Sequence, residues 1–178
     1  MNKIIILSCL LLLTSCGTTT DTSLNTTAFS GEGFSINIPK TWIVIDKPTL
    51  PTPTEGTIAL ALTSTDIVSG FSNSMSIIKE KLTETITSKN YSLTNYVHTT
   101  AAYLDFVKLD EKTIAFGDKD ESNLYVFESK YNMNTPKQEF IQTAKVCGDT
   151  VYLITFGLGL NTPTAKYEDL IKTFTCSK

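Results

Sequence analysis

The chain has 178 residues, a length typical of a single domain, and its 41% hydrophobic and 19% charged residues can fill a globular core. Its net charge is −3, and all 15 basic residues are lysines that form no cluster. A mildly acidic chain without arginine argues against nucleic-acid binding and against electrostatic attachment to anionic lipid.

Residues 1–15 have the pattern of an export signal. Lys3 gives a positive charge, and Ile4 to Leu13 form an apolar run that is too short for a membrane span, which needs roughly 20 residues. The sequence Leu13-Thr14-Ser15-Cys16 that follows resembles the lipobox of bacterial lipoproteins. This resemblance implies cleavage before Cys16 and acylation of its sulfur with fatty acids such as palmitate. The alternative is an ordinary cleaved signal peptide with a chance cysteine.

Residues 16–30 are predicted to be a lipidated N-terminus and flexible tether, because Thr, Ser and Asn dominate from Gly17 to Ser30. Residues 31–178 then form one domain. We expect this domain to be extracytoplasmic, held by the lipid anchor at the outer membrane or at the outer face of the plasma membrane.

Four strands are predicted in the first half of the domain. Phe34 to Ile38 alternates apolar and polar residues and ends at Pro39. Three prolines between positions 48 and 53 indicate an extended loop after the second strand. The other three strands are predicted at Trp42 to Ile45, Ile58 to Leu62 and Ser74 to Lys81.

A first helix is predicted over 92–106, with Ser92 as its N-cap and a helically spaced stripe that includes Leu93, Val97 and Leu104. Four strands follow, at Lys112 to Phe116, Leu124 to Tyr131, Gln138 to Val146 and Val151 to Leu158. Gly117 to Asn123 and Cys147 to Asp149 are predicted as hairpin turns.

The last element is predicted to be a second helix that Thr162 caps and Pro163 begins. Its apolar stripe is predicted to be Tyr167, Leu170, Ile171 and Phe174, and Glu168 and Lys172 are placed to form an i,i+4 pair. Strands joined by short turns, with two helices, predict an α+β domain in which helices cover a mostly antiparallel sheet.

Cys147 and Cys176 are predicted to form a disulfide, since an exported protein meets oxidising conditions and two cysteines are the simplest even count. The bond would join the last helix to the sheet. Two free buried thiols are the alternative. A catalytic pair lacks the Cys-x-x-Cys spacing, and a zinc site would need more ligands.

The order of these parts resembles the Mog1/PsbP-like superfamily, which includes the PsbP proteins of photosystem II and DcrB-type bacterial proteins. The similarity lies in Gly33 to Trp42, with its Pro-x-x-Trp turn, in the helix at 92–106 and in the closing Tyr-x-x-Leu-Ile-x-x-Phe at 167–174. It implies a sheet covered by helices and a role in docking or assembly. No position matches a metal or cofactor contact, so we expect no cofactor.

Few residues suggest chemistry. His98 is the single histidine and has no evident partner, so we interpret it as a surface or boundary residue. Asp118, Asp120 and Glu121 could suggest calcium, but an EF-hand would need other residues where Asn123 and Ser129 stand; a solvated turn is the preferred interpretation.

Aromatic residues suggest a possible groove. Tyr125, Phe127 and Tyr131 fall on one face of a strand, where they could line a ligand site but more often lie beneath a helix. Trp42 is interpreted as a core residue. No hydrolase or nucleotide-binding motif is evident, and Gly157-x-Gly159 lacks the third glycine of such a loop.

The sequence therefore favours a non-enzymatic, membrane-anchored lipoprotein that binds a protein partner or supports an envelope assembly. One alternative is a small-ligand carrier with a pocket between the sheet and the helices. Another is a hydrolase whose site would include His98 with a Ser or Asp.

Overall fold

The computed structural model describes residues 24–68 and 70–177. Its helices are α1 (Ser88–Ala102) and α2 (Ala165–Lys172), and Lys47–Thr49 form a 3-10 turn. Its strands are β1 (Thr26–Gly31), β2 (Phe34–Pro39), β3 (Trp42–Val44), β4 (Thr57–Val68), β5 (Phe71–Lys81), β6 (Leu104–Ala115), β7 (Glu121–Lys130), β8 (Gln138–Cys147), β9 (Thr150–Leu158) and β10 (Thr175–Cys176).

The main sheet has seven strands in the order β3-β4-β5-β9-β8-β7-β6, and all its neighbouring strands are antiparallel. A second sheet has the order β1-β2-β10. The predicted α+β class with a mostly antiparallel sheet is confirmed.

The main core lies between one face of the large sheet and a layer made of the small sheet and α2. Trp42 lies in this core, with its ring 6.0 Å from those of Phe156 and Tyr167, as predicted for a core residue. The covering layer inserts a set of buried apolar side chains, and both predicted stripes are confirmed: Phe34, Ile36, Ile38, Tyr167, Leu170, Ile171 and Phe174.

The prediction of a flexible tether through residue 30 is wrong at its C-terminal end. β1 pairs with β2 along its full length, from Thr26 opposite Pro39 to Gly31 opposite Phe34. Although this segment is rich in polar residues, its backbone groups are satisfied by hydrogen bonds to the edge of β2, which hold it in place. Phe29 adds a contact, with its ring 6.1 Å from that of Phe34.

The first helix begins four residues earlier than predicted and is fixed by polar contacts. Thr87, not Ser92, is the N-cap, and its hydroxyl accepts a hydrogen bond from Asn90 N–H. The predicted apolar stripe is wrong, because Leu93 and Val97 are exposed and Leu104 belongs to β6. The buried helical positions are Ser88, Ser92 and Thr99.

The second helix starts after the predicted cap. Thr164 occupies the N-cap position, and the Thr162 hydroxyl instead donates to the Gly159 carbonyl in the preceding turn. The predicted pair of Glu168 with Lys172 is not formed. Glu168 is buried and accepts a hydrogen bond from Lys112 of β6, which satisfies its charge.

The acidic turn between β6 and β7 is solvent-exposed, as predicted, and its carboxylates also hold a buried lysine. Lys145 of β8 is only 2% exposed, and its Nζ lies 2.7 Å from Asp118 Oδ2 and 2.8 Å from Asp120 Oδ2. Burial raises the pKa of Asp118, but hydrogen bonds from Lys145 and from backbone N–H groups outweigh it and lower that pKa overall. A buried cation needs such partners, so these carboxylates have a structural role.

Cys147 and Cys176 lie at disulfide-bonding distance, with Cα atoms 5.6 Å apart. Cys147 ends β8 beside the predicted hairpin turn, where Gly148 adopts a positive φ of 65°. Cys176 ends β10, just after α2. The pair therefore connects the C-terminal segment to the large sheet.

Glu139 on β8 destabilises the fold when charged. It is buried directly opposite Glu128 of β7, and burial, with the Glu128 charge, raises its pKa despite a hydrogen bond from Asn161 N–H. A raised folded-state pKa disfavours the charged form, so the cost exists at neutral pH and disappears as the pH falls through that pKa.

We therefore expect Glu139→Gln to raise the free energy of unfolding at pH 7 by about 0.2–1 kcal/mol, the usual range for cross-strand pairs. The gain over wild type should vanish below about pH 4, where the folded and unfolded states of wild type both bind the proton. Urea denaturation across this pH range measures both effects. A variant less stable than wild type at pH 7 would contradict the assignment.

Candidate functional site

Helix α1 covers only part of its face of the large sheet. Seven strands spaced about 4.8 Å apart are about 29 Å wide, whereas a helix with its side chains is about 10–12 Å across. α1 packs on β7 and β8. The same face of β4, β5 and β9 extends beyond the helix, and the proline-containing loop 48–56 partly covers it.

The result is an open groove between α1 and this loop, with a volume of about 940 Å³, which we call the α1 groove. Its floor includes Ile78 and Leu153, which face each other across β5 and β9. Its walls come from one flank of α1 and from the loop: Pro53, Thr54, Glu55, Tyr91, Asn95, His98 and Ala102.

A second depression of about 500 Å³ adjoins the α1 groove beneath the proline-containing loop. The two share Pro53, Ile78 and Tyr103. The second one is bounded by Leu50 and Ile58, so apolar side chains continue under the loop. Together they form a mainly apolar trough, with polar side chains such as Asn95 and Gln142 in its lining, of the size that binds small ligands or short peptide segments.

One end of the α1 groove is acidic. The Tyr91 hydroxyl donates a 2.7 Å hydrogen bond to Glu80 Oε2. Burial, this hydrogen bond and the charges of Glu80 and Glu55 all raise the pKa of Tyr91, so its hydroxyl stays protonated. No lysine lines the groove within the described residues. The carboxylates of Glu55 and Glu80 therefore give this end an unneutralised negative charge.

The other end is aromatic. The rings of Tyr103 and Tyr131 are 5.7 Å apart in an edge-to-face arrangement. Burial and the neighbouring Tyr131 raise the pKa of Tyr103 to about 12, so the Tyr103 ring is a neutral surface at physiological pH. Tyr131 is 61% exposed, which is unusual for a large aromatic side chain and leaves its ring available for contact.

A buried hydrogen-bond network holds α1 at the edge of the groove. Asn95 Nδ2 donates to Gln142 Oε1 at 2.8 Å, and Gln142 Nε2 donates to Thr155 Oγ1 at 3.1 Å. The Thr99 hydroxyl lies 3.0 Å from the same Gln142 oxygen. These bonds join the helix to β8 and β9 and fix the wall relative to the floor.

The predicted aromatic face divides between core and groove. Tyr125 and Phe127 are buried under α1, where Tyr96 stacks on Tyr125 with ring centroids 3.9 Å apart. Tyr131 lies beyond the end of β7 and lines the groove. The interpretation as a helix-covered face is therefore correct for the first two residues only.

His98 lies on the exposed flank of α1 and lines the groove. Among the described residues, Glu80 accepts a hydrogen bond from the Tyr91 hydroxyl and Asn95 donates one to Gln142, and no hydrogen bond joins His98 to a Ser, Asp or Glu side chain. The described part of the chain contains no cluster of three or more metal-ligating side chains. Cys16 lies outside the described residues, and the helices that are described are too short or too polar to cross a bilayer.

The architecture is similar to the solution structure of cyanobacterial PsbP (CyanoP) from Synechocystis sp. PCC 6803, with a TM-score of 0.60 and 12% sequence identity. The superposition covers 93% of this chain and 99% of that one. The fold is PsbP-like. The resemblance seen in the sequence is thus confirmed for the fold.

A crystal structure from Bacteroides thetaiotaomicron is also similar, with a TM-score of 0.48, 13% identity and coverage of 82% of this chain and 45% of that one. No family model and no curated protein sequence matches the chain. The similarity to the cyanobacterial structure establishes the fold alone. The groove is the feature of this chain that indicates a function.

The sequence offered a pocket between the sheet and the helices only as an alternative, and Tyr131 is the one aromatic residue named for it that lines the α1 groove. Its floor residues Ile78 and Leu153 belong to predicted strands, and Pro53 to a predicted loop, but nothing in these segments shows that they meet. One feature of the sequence could have indicated the groove. The buried side of α1 carries the polar residues Ser88, Ser92 and Thr99, which cannot form a wide apolar interface. A helix of this kind covers only a narrow part of a sheet.

Proposed function

We propose that this chain is a lipid-anchored extracytoplasmic module that binds a protein partner through the α1 groove and performs no catalysis. The observation that carries the proposal is the groove itself, an open trough of about 940 Å³ with exposed aromatic and apolar side chains. Exposed apolar surface of this extent is costly in water and is typical of binding sites.

The lipobox at Leu13 to Cys16 supports the anchor. Each methylene buried in the bilayer contributes about 0.8 kcal/mol, and two acyl chains hold a protein stably where one does so only marginally. β1 begins at Thr26, ten residues after the acylated cysteine. A segment of this length cannot span more than about 35 Å. A partner of the groove would therefore be bound close to the membrane surface.

The anchor is tested by acyl labelling. Cells expressing the protein are fed an alkyne-bearing palmitate analogue, and the purified protein is examined for the label. We expect labelling of wild type and none of Cys16→Ser. Cys9→Ser is the matched control and should be labelled as wild type is. Equal labelling of Cys16→Ser, or none of wild type, would contradict lipidation at this position.

Partner binding is tested by affinity purification from detergent-solubilised envelopes, with quantitative comparison of wild type and Ala102→Trp. Ala102 lies on the groove flank of α1, where an indole would occupy the trough. Thr94→Trp adds the same side chain to an exposed position of α1 outside the groove. The proposal expects a partner recovered with wild type and Thr94→Trp but lost with Ala102→Trp; identical recovery with all three would contradict it.

The second candidate function is a carrier of a small apolar ligand in the same groove. The volume of the α1 groove favours it, since small-molecule sites measure about 300–1,000 Å³. Native mass spectrometry of the purified protein separates the two functions. A carrier would retain a bound small molecule that Ala102→Trp excludes, whereas a protein-binding module would have the mass of the acylated chain alone.

A further inference from the structure

We infer that the α1 groove binds an extended peptide segment of the partner, with a basic side chain at the Glu80 end and apolar side chains toward Tyr103 and Tyr131. This inference rests on the proposed function and specifies the chemistry of the partner. Three observations carry it: the length of the groove, the polarity of its two ends and the geometry of its floor.

The length suits a short extended segment. The groove follows α1 from Tyr91 to Tyr103, which at 1.5 Å per helical residue is about 18 Å. Five extended residues span nearly the same distance, at about 3.3 Å each. The groove is open to solvent, so a chain can reach its floor.

The acidic end selects the charge of the occupant. Glu80 accepts the hydrogen bond from the Tyr91 hydroxyl, and Glu55 lines the same groove. Neither carboxylate forms a salt bridge with a described lysine: Lys79 pairs with Glu32 and Lys81 with Asp149, both outside the groove. A lysine or arginine side chain from a partner would neutralise this end, and an acidic side chain would be repelled.

The floor of the groove and its aromatic end favour apolar side chains in the bound peptide. Ile78 and Leu153 stand opposite each other on the floor, and Ile58 of the adjoining depression continues this apolar row opposite Ile78. The rings of Tyr103 and Tyr131 continue this surface at the C-terminal end of α1. In an extended peptide every second side chain points the same way, so positions one, three and five would face the groove.

The occupant binds by its side chains and adds no strand to the sheet. The floor strands β5 and β9 are each paired on both sides within the described sheet, so they have no free edge there. The affinity must then come from apolar contacts and from the basic side chain of the peptide. We therefore expect the affinity to depend markedly on the charge of that side chain.

The test uses the full acylated chain in phosphatidylcholine nanodiscs and fluorescent pentapeptides of the sequence Lys-Thr-Leu-Thr-Phe, in this order and reversed. Matched peptides carry Gln or Glu in place of Lys. Fluorescence anisotropy should show that a Lys peptide binds about tenfold more tightly than its Glu counterpart. Ala102→Trp should abolish binding of every peptide, and Thr94→Trp should leave it unchanged.

The double substitution Glu55→Gln/Glu80→Gln tests the charge specifically. Both replacements keep the size of the side chain, and the new amide oxygen at position 80 can still accept a hydrogen bond from the Tyr91 hydroxyl. We expect the preference for Lys over Glu to fall below about twofold, with binding of the Gln peptide unchanged. Glu121→Gln, an exposed position on β7 outside the groove, is the control and should keep the full preference.

Absence of binding by both Lys peptides, or binding of the Glu peptide as tight as that of the Lys peptide, would overturn the inference. Binding of octylamine at the groove where no peptide binds would also overturn it, in favour of a small cationic amphiphile. These failures are distinguishable from failure of the proposed function, because loss of the envelope partner with Ala102→Trp does not depend on the charge or the extended form of the bound segment.

Discussion

Replacing Phe174 by alanine is expected to lower the free energy of unfolding by about 3–5 kcal/mol, the range for truncating a buried phenylalanine. Phe174 is fully buried just after α2, and its ring stacks on that of Phe34 with centroids 5.2 Å apart. Tyr152 of the large sheet lies 5.3 Å away on another side. The ring thus joins β2, α2 and the large sheet, and its loss would leave a cavity among rigid neighbours.

Urea denaturation of the purified protein measures this effect. Leu109→Ala is the matched control, since Leu109 is exposed on β6 and its truncation should change stability by no more than about 0.5 kcal/mol. If Phe174→Ala costs no more than Leu109→Ala, the ring does not occupy the position assigned to it between the two sheets.

The double substitution Cys147→Ser/Cys176→Ser is expected to cost about 3.5 kcal/mol. The two cysteines are 29 residues apart, and closing a loop of this length restricts the unfolded chain by about that free energy in the chain-entropy model. For a domain of this size, the melting temperature should fall by about 10 °C. The variant should keep its fold, because the apolar contacts of Tyr167 and Leu170 remain.

A reductant provides the internal control for the disulfide. Dithiothreitol should lower the melting temperature of wild type to that of the double variant and leave the variant unchanged. A wild-type protein that melts at the same temperature as the double variant before any reductant is added would favour free thiols, the alternative that the sequence left open.

The layers of this fold could be predicted from local patterns where one side of an element is buried and the other exposed. β2 alternates strictly from Phe34 to Ile38, and the stripe of α2 from Tyr167 to Phe174 is apolar at nearly every buried position. In both segments, the apolar side chains recur with the period of the secondary structure, so that they all lie on one face of the element and can be buried together. The sequence therefore predicts the presence and the buried faces of these two elements correctly, although α2 begins two residues later than predicted.

Prediction failed where polar side chains take the place of apolar ones at an interface. Ser92 looked like a helix cap, yet it is buried in α1 and its hydroxyl donates to the Asn123 carbonyl. The turn with Asp118 and Asp120 is solvated as predicted, but its pairing with the buried Lys145 was not predicted. Hydrogen bonds between residues this far apart in the chain leave no periodic trace in the sequence.

The extent and the lining of the α1 groove could not be predicted for a related reason. They depend on how much of a seven-stranded sheet a single helix covers, which is a property of strand order. The sequence indicates that Ile78 and Leu153 belong to strands, but only the pairing of β5 with β9 makes them neighbours. Tyr131 lines the groove and is not covered by α1 because β7 ends at Lys130, one residue before it.

Photo-crosslinking in intact cells tests partner binding through the groove most directly. The photoreactive residue p-benzoylphenylalanine replaces Tyr131, which lines the groove, or Met133, which is 83% exposed and lies outside it. Our account predicts an adduct of defined mass with one envelope protein from position 131, none from position 133, and loss of the adduct when Ala102→Trp is combined with the probe. The same adducts from both positions, or none from position 131, would contradict it.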